Sequence, residues 1–298
     1  MNTPLMSNDV LTYRRNVTSE HGEDGIIERI FNIIGEDSRW CVELGALNGV
    51  HGSNVWSLVQ KLGWSGVLIE ADNTQFERLQ KEYAYYSNAH CINAYVSFEG
   101  EQSLDNIFSQ TPLPRTFDLF SLDIDGNDYH LWESLNKYRP RVMVVEFNPS
   151  IPNSIAFVQP RDMRVFQGSS LRSLIELGKQ KGYELVAANE TNAFFVLQDL
   201  FPKFGIGDNS IDALHTDTKF QTQLFQLYDG TLKIAGNTRF IWHGVPIEEE
   251  MLQTLPRRLR RYPARVSSGG GVRRLKYYIR KLPVYPALMR LKKWITLR

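Results

Sequence analysis

The sequence predicts a doubly wound α/β fold: a mostly parallel sheet of seven strands ending in an antiparallel hairpin, followed by a basic helical tail. Three observations predict it. Short, largely apolar runs lie at residues 40–44, 66–70, 90–96, 117–123 and 141–147, as expected of strands buried on both faces of a parallel sheet. Segments with helical period separate several of them. Two further runs, at 183–188 and 193–197, are joined by Asn189-Glu190-Thr191-Asn192, which is a hairpin signal.

Residues 20–34 place Ile26, Ile27, Ile30, Phe31 and Ile34 at helical spacing, and this helix is expected to cover one sheet face; residues 1–38 are read as an N-terminal helical cover. Trp40-Cys41-Val42-Glu43-Leu44 forms the first strand and stops at Gly45, and residues 53–62 read as a helix. Gly66-Val67-Leu68-Ile69-Glu70 is the second strand, and Asn73 is a candidate cap for a helix running to Tyr83. The third strand is 90–96. The fourth is 117–123, with a helix at 129–136 behind it. Arg141 to Phe147 is the clearest strand of all. Residues 148–168 carry three prolines and no clean period. Ser169 or Ser170 then caps a helix over 171–181, with Gly182 just past its end. Residues 199–250 show no assignable pattern. The domain boundaries expected are 39–250 for the sheet domain and 251–298 for the tail.

Composition sets limits. The chain has 298 residues, 42% hydrophobic and 22% charged, enough for a sizeable core and unlike a disordered chain. No apolar run reaches membrane-spanning length, and residues 1–15 hold no apolar stretch of signal-peptide length. A cytoplasmic location is expected. Cys41 and Cys91 both fall in apolar runs, so a reduced buried pair is expected rather than a disulfide. Charge is unevenly spread. Of 34 Lys and Arg, 14 lie in residues 251–298, which hold no acid, leaving 20 basic against 33 acidic residues in the body.

The segment Glu43-Leu44-Gly45-Ala46-Leu47-Asn48-Gly49-Val50-His51-Gly52-Ser53 leaves the first strand and opens a helix. Ligands of open α/β sheets sit at the carboxyl ends of strands, and glycines there admit close backbone approach. The spacing is G-x3-G-x2-G, so the tight pyrophosphate turn of a G-x-G-x-x-G dinucleotide site is missing. Glu43 is placed to accept from a ligand ammonium, and the N–H groups near Ser53 and Asn54 to hold a ligand carboxylate. Glu70 ends the second strand, where an acid takes both hydroxyls of a ribose. Together these features point to a nucleoside ligand; the alternative is a tight turn beside a surface acid.

Several strings resemble the FkbM-type methyltransferases: Glu23-Asp24-Gly25-Ile26-Ile27, Val42-Glu43-Leu44-Gly45-Ala46, Ser53-Asn54, Gly63-Trp64-Ser65-Gly66-Val67-Leu68-Ile69-Glu70, and Leu122-Asp123-Ile124-Asp125-Gly126-Asn127-Asp128. The resemblance spans residues 22–197. It implies a Rossmann-like class I methyltransferase fold, S-adenosylmethionine as cofactor, and methylation of hydroxyls, often of sugars or polyketides. It implies that Glu43, Gly45 and Glu70 bind the cofactor and that Asn93-Ala94 face the adenine. Asn48 is counted with them, although Leu47-Asn48-Gly49 departs from the family's more usual Asn/Asp-Asp/Ile-Gly.

An alcohol acceptor must lose its proton, which calls for a base or a metal. Ser121-Leu122-Asp123-Ile124-Asp125-Gly126-Asn127-Asp128-Tyr129-His130 ends the fourth strand and Glu146-Phe147-Asn148 the fifth; both face one crevice. His130 is the first candidate base and Asp125 the second, with helix capping as the alternative role for Asp125 and Asp128. Asp123, Glu146 and Asn148 resemble in placement the magnesium ligands of catechol-type O-methyltransferases, with Phe147 intervening. Such oxygen ligands suit Mg2+ or a comparable hard cation. Residues 149–168 are expected to cover the acceptor, with Phe157, Arg161, Arg164, Phe166 and Gln167 lining a pocket for a polar or anionic group, or else to form a long surface loop.

In the tail, Val272, Leu275, Ile279 and Leu282, then Leu288, Leu291, Trp294 and Ile295, recur at helical spacing among Lys and Arg. Basic amphipathic helices of this kind bind anionic membrane surfaces. The alternatives are packing on the acidic body or on a second subunit of a homo-oligomer; nucleic acid is not expected, because no recognition fold accompanies the charge. The expectation is therefore an O-methyltransferase for a sugar or glycan acceptor, lipid-linked if the tail docks at the inner face of a membrane. The alternative is a non-catalytic binding protein that kept the fold.

Overall fold

The structure is a computed structural model that describes residues 9–257 and 260. The two amphipathic tail segments lie outside the described residues. The described residues divide into two compact units: one runs to Gln223 and resumes at Ile234–Ile247, and the other comprises Leu224–Lys233 and the described residues from Glu248 onward.

The first unit is built on seven strands: β1 (Trp40–Leu44), β2 (Ser65–Glu70), β3 (Ala89–Asn93), β4 (Thr116–Leu122), β5 (Arg139–Glu146), β6 (Tyr183–Ala188) and β7 (Asn192–Leu197). Their order is β3-β2-β1-β4-β5-β7-β6. The first five run parallel, while β7 lies antiparallel to both β5 and β6. A mostly parallel sheet with a terminal hairpin is the class I methyltransferase arrangement that the sequence predicted.

Alternation explains why these runs become central strands. In β5, Met143 and Val145 pack in the core on one face, and Val142 and Val144 in the core on the other. β2 divides Val67 and Ile69 from Leu68 in the same way. With both faces buried, each residue of the run contributes apolar area, so the pattern reads as continuous rather than alternating.

On one face lies α1 (Glu23–Ile34). Its Ile26, Ile27, Ile30, Phe31 and Ile34 are all buried there, together with Leu79 of α2 (Asn73–Glu82). The other face is covered by α3 (Leu104–Ser109), α4 (Asp128–Ser134) and α5 (Leu171–Gln180). α3 was not expected from the sequence. Ser170 caps α5 by accepting from Ser173 N–H. The cap of α2 is Asp72, which accepts from Gln75 N–H, and not Asn73. The expected helix at 53–62 is shorter and wider: a π-helical turn over Ser57–Lys61. β3 ends at Asn93, three residues before the predicted end. Cys41 and Cys91 are both free.

A buried ion pair ties the amino end of β4 to β5. Asp118 is fully buried and accepts from Arg141 Nη1 at 2.5 Å and from the N–H groups of Asp37 and Arg39. After β7 the unassigned region forms short elements: α6 (Ile211–Leu214) and the two-stranded ribbons β8–β9 (Thr222–Gln226, Leu232–Gly236) and β10–β11 (Arg239–Phe240, Val245–Pro246). No helix among the described residues is long and apolar enough to cross a membrane.

Candidate active site

The carboxyl ends of β1, β2, β4 and β5 open onto a cavity of about 430 Å3. This is the edge at which open α/β sheets hold their ligands. The loop after β1 forms one wall. Gly45 has φ +83, and a Cβ there would lie 1.8 Å from the carbonyl oxygen of Asp123. Only glycine allows the chain to leave β1 so close to the end of β4.

Glu43 points into the cavity from beneath this loop. Its carboxylate accepts from Ser53 Oγ and from Asn54 N–H, each at 2.7 Å. Burial raises its pKa to about 7, against the lowering effect of those two hydrogen bonds. The expected role of Ser53 and Asn54 is corrected here. The N–H of Asn54 is taken by Glu43 and that of Ser53 donates to Val50 O, so neither is free for a ligand carboxylate. Asn54 still lines the cavity, and its buried Oδ1 has no donor.

Glu70 also lines the cavity. It accepts from Leu47 N–H and Asp72 N–H, both at 2.7 Å. One bond on each oxygen leaves further lone pairs for a ligand hydroxyl. Asn48 turns away: its Oδ1 accepts from Val50 and His51 N–H and shapes the loop. Asn93 is likewise structural, its Nδ2 donating to Glu70 O at 3.0 Å, whereas Ala94 does line the cavity. Asn48 and Asn93 therefore support the site rather than face a ligand.

At the end of β4 and β5, Asp123, Asp125 and Glu146 each bring a carboxylate oxygen within 4.8 Å of the others. Asp125 holds a left-handed φ of +58, which turns the chain there, and Asp125 is the exposed member of the three. Burial raises the pKa of Asp123, and the Asp125 charge adds to it; Glu146 is raised further, by burial and then by Asp123. Asp128 does not join them. Its two oxygens accept from Ile124 and Gly126 N–H at 3.0 Å, so it is the brace of the loop.

Two expectations fail in this region. His130 is buried on α4, its Nε2 lies 2.8 Å from Gln159 O, and its ring packs edge-on to Phe98, away from the cavity lining. Asp125, in the turn before α4, lines the cavity and His130 does not, so His130 is removed as base. Asn148 is also spent. Its Nδ2 donates to Gln167 O, and its Oδ1 accepts from Ser150 N–H and Ser150 Oγ. Asn148 does not line the cavity, and the acid that meets Asp123 and Glu146 there is Asp125.

Residues 149–168 reach the cavity through Met163 and Phe166. Of the five residues expected to line a pocket for a polar or anionic group, only Phe166 is in the lining. Arg161 lies over the Phe98 ring, Arg164 is paired with Asp162, and neither Phe157 nor Gln167 lines the cavity. Sequence reasoning missed Asn127, Tyr95 and Ser121, and gave His51 no role; all four line the cavity. Asn127 was within reach as the one uncharged polar residue inside the Asp123-to-Asp128 string. Tyr95 carried no local signal.

No protein-family model matches the sequence. No curated protein matches it either. Among solved structures, the chain is similar to the N-terminal domain of EvdMO1 with SAH bound (12% identity, 60% of this chain and 81% of that one, TM-score 0.39). It is similar to a S-adenosylmethionine-dependent methyltransferase from Clostridium acetobutylicum ATCC 824 (8%, 59% and 90%, TM-score 0.38). A SAM dependent methyltransferase from Aquifex aeolicus is a third (12%, 57% and 87%, TM-score 0.34). These structures share the fold at low TM-score, and the strand order β3-β2-β1-β4-β5-β7-β6 defines it in this chain.

Proposed function

We propose that the chain is an S-adenosylmethionine-dependent O-methyltransferase acting on a neutral, hydroxyl-rich acceptor of the sugar or glycan type. One observation carries this reading. Glu20, Glu43, Glu70, Asp123, Asp125 and Glu146 line the cavity, and no Lys or Arg among the described residues does. A dinucleotide would bring a pyrophosphate among six carboxylates. A nucleoside carrying a sulfonium and an ammonium brings the complementary sign.

The residues divide the work. Glu70 accepts from ribose hydroxyls with the lone pairs that Leu47 and Asp72 leave free. Gly45 permits close approach of the loop, and Ala94 offers an apolar face to the base. When bound, S-adenosylmethionine supplies an electrophilic methyl carbon: a C–O bond forms as the C–S bond breaks, and sulfur keeps the electron pair. Asp125, the exposed acid, takes the acceptor proton on a carboxylate oxygen. Tyr95, Met163 and Phe166 give the acceptor apolar faces at the mouth. A lining rich in acceptors favours a ligand rich in donors, and sugar hydroxyls are that. The strings shared with the FkbM type support the same acceptor class, and the basic tail supports a lipid-linked form of it.

The test is calorimetric titration with S-adenosylhomocysteine and with NAD. S-adenosylhomocysteine is expected to bind in the micromolar range, and Glu70→Gln to weaken it by about tenfold or more, the value of a hydrogen bond to a charged group. Heat with NAD and none with S-adenosylhomocysteine would overturn the assignment.

A further inference from the structure

We infer that Asp123, Asp125 and Glu146 form a binding site for a divalent hard cation, with Asp125 rather than Asn148 as the third protein ligand. The inference deepens the proposed function by stating what the acidic end of the cavity holds.

Geometry comes first. The three donor oxygens lie within 4.8 Å of one another. Oxygens around one Mg2+ or Mn2+ lie about 3 to 4 Å apart, so small side-chain rotations close the set. The donors are all carboxylate oxygens, which suit a hard cation and not a soft one.

Unsatisfied oxygens are the second observation. Glu146 is 8% exposed and its Oε2 has no hydrogen-bond donor among the described residues. Asn127 lies in the same loop, is 2% exposed, and lines the same cavity. Its Nδ2 donates to Asp162 O and Val165 O, which assigns the amide, and its Oδ1 is left with no donor. A buried acceptor without a donor is costly. Glu146 Oε2 and Asn127 Oδ1 are two such acceptors on residues that line one cavity, and no Lys or Arg among the described residues lines it to meet them. A cation held by the three acids would give Glu146 Oε2 its partner.

Position is the third. The three acids also line a smaller neighbouring cavity of about 160 Å3, together with His21, Glu23, Thr191 and Asn192. The cation site therefore stands between two cavities, with the nucleoside side on one hand and a second opening on the other. An acceptor hydroxyl bound to the cation there would be acidified in place, and the Asp125 oxygen not given to the cation would take its proton. The competing arrangement is a proton shared between Asp123 and Glu146, with no metal.

The experiment is a Mn2+ titration of the full chain stripped with EDTA, without nucleoside, followed by the EPR signal of free Mn2+. One site with Kd below about 1 mM is expected, displaced by Mg2+. Asp125→Asn and Glu146→Gln are each expected to weaken it at least tenfold, and Glu77→Gln on the exposed side of α2 to leave it unchanged. Asp125 is exposed, so its variant is expected to fold; Tb3+ luminescence in the wild-type chain, quenched by Mg2+, gives a reading with no substitution. Absence of a wild-type site in this range, or wild-type affinity in both variants, would overturn the inference in favour of the shared proton. A parallel titration with S-adenosylhomocysteine separates the two proposals. Mn2+ binding with no S-adenosylhomocysteine binding removes the methyltransferase reading and keeps the cation site; the converse does the reverse.

Discussion

Substituting Gly45 by alanine tests how the site is assembled. Gly45 has φ +83, and its new Cβ would lie 1.8 Å from Asp123 O, whereas real Cβ contacts essentially never fall below 3.0 Å. Relief requires the end of β4 to move by about 1.2 Å, the difference between those two distances. Left-handed backbone costs an L-residue about 1–2 kcal/mol, and overpacking adds roughly 1–3 kcal/mol. At about 2–4 °C per kcal/mol for a unit of this size, the unfolding temperature should fall by about 10 °C. Gly100 is the control: φ is +78, but nothing lies within 4 Å of a Cβ. Gly100→Ala should lose only the backbone term, about 2–8 °C. Differential scanning fluorimetry measures both. The Asp123 backbone carries the acidic cluster, so Gly45→Ala should also weaken Mn2+ binding. A Gly45→Ala chain that melts with Gly100→Ala, or within about 2 °C of wild type, would refute the close-approach argument.

Three further outcomes are expected. Burial raises Glu43 to about 7, so the folded chain holds a proton that the unfolded chain releases near pH 4.3. Its stabilising effect is present below that lower pH and is lost as pH rises to about 7, about 4 kcal/mol in all. Melting temperatures across this window should fall less steeply in Glu43→Gln than in wild type, and equal slopes would refute the assignment. Asp118→Ala leaves Arg141 and two N–H groups without their acceptor; urea unfolding should show a loss of about 3–5 kcal/mol, with S-adenosylhomocysteine affinity retained. A loss under about 1 kcal/mol would contradict the buried pair. His130→Gln should lower the melting temperature through its lost contact with Gln159 and keep acceptor turnover. If turnover dropped about a hundredfold at unchanged stability, His130 would return as the base.

Much of the architecture was legible because burial writes a local period. Val142 to Val145 fill both cores in turn, so β5 is readable from its own residues. Ile26, Ile27, Ile30, Phe31 and Ile34 mark the buried side of α1 by the same rule. Gly45 and Glu70 were legible because each ends a strand at the edge where ligands bind. The acid-poor, basic composition of 251–298 is also a property of the chain alone.

The partners of the polar atoms were not legible. His130 and Asp125 are five residues apart, and the turn at Asp125 with the phase of α4 sends one to Gln159 and the other to the cavity. Asn148 loses its place as a ligand to Ser150 and to Gln167, and the latter depends on how the 149–168 segment folds back. Asn54 gives its N–H to Glu43, and Asn189 gives its side chain to Glu23 across 166 residues of sequence. Apolar burial is additive and tolerates many neighbours, so it leaves a pattern in the sequence. A hydrogen bond needs one partner at one distance and angle. Which oxygen stays unsatisfied, and so which acid is free for a ligand, is decided only when distant segments come together.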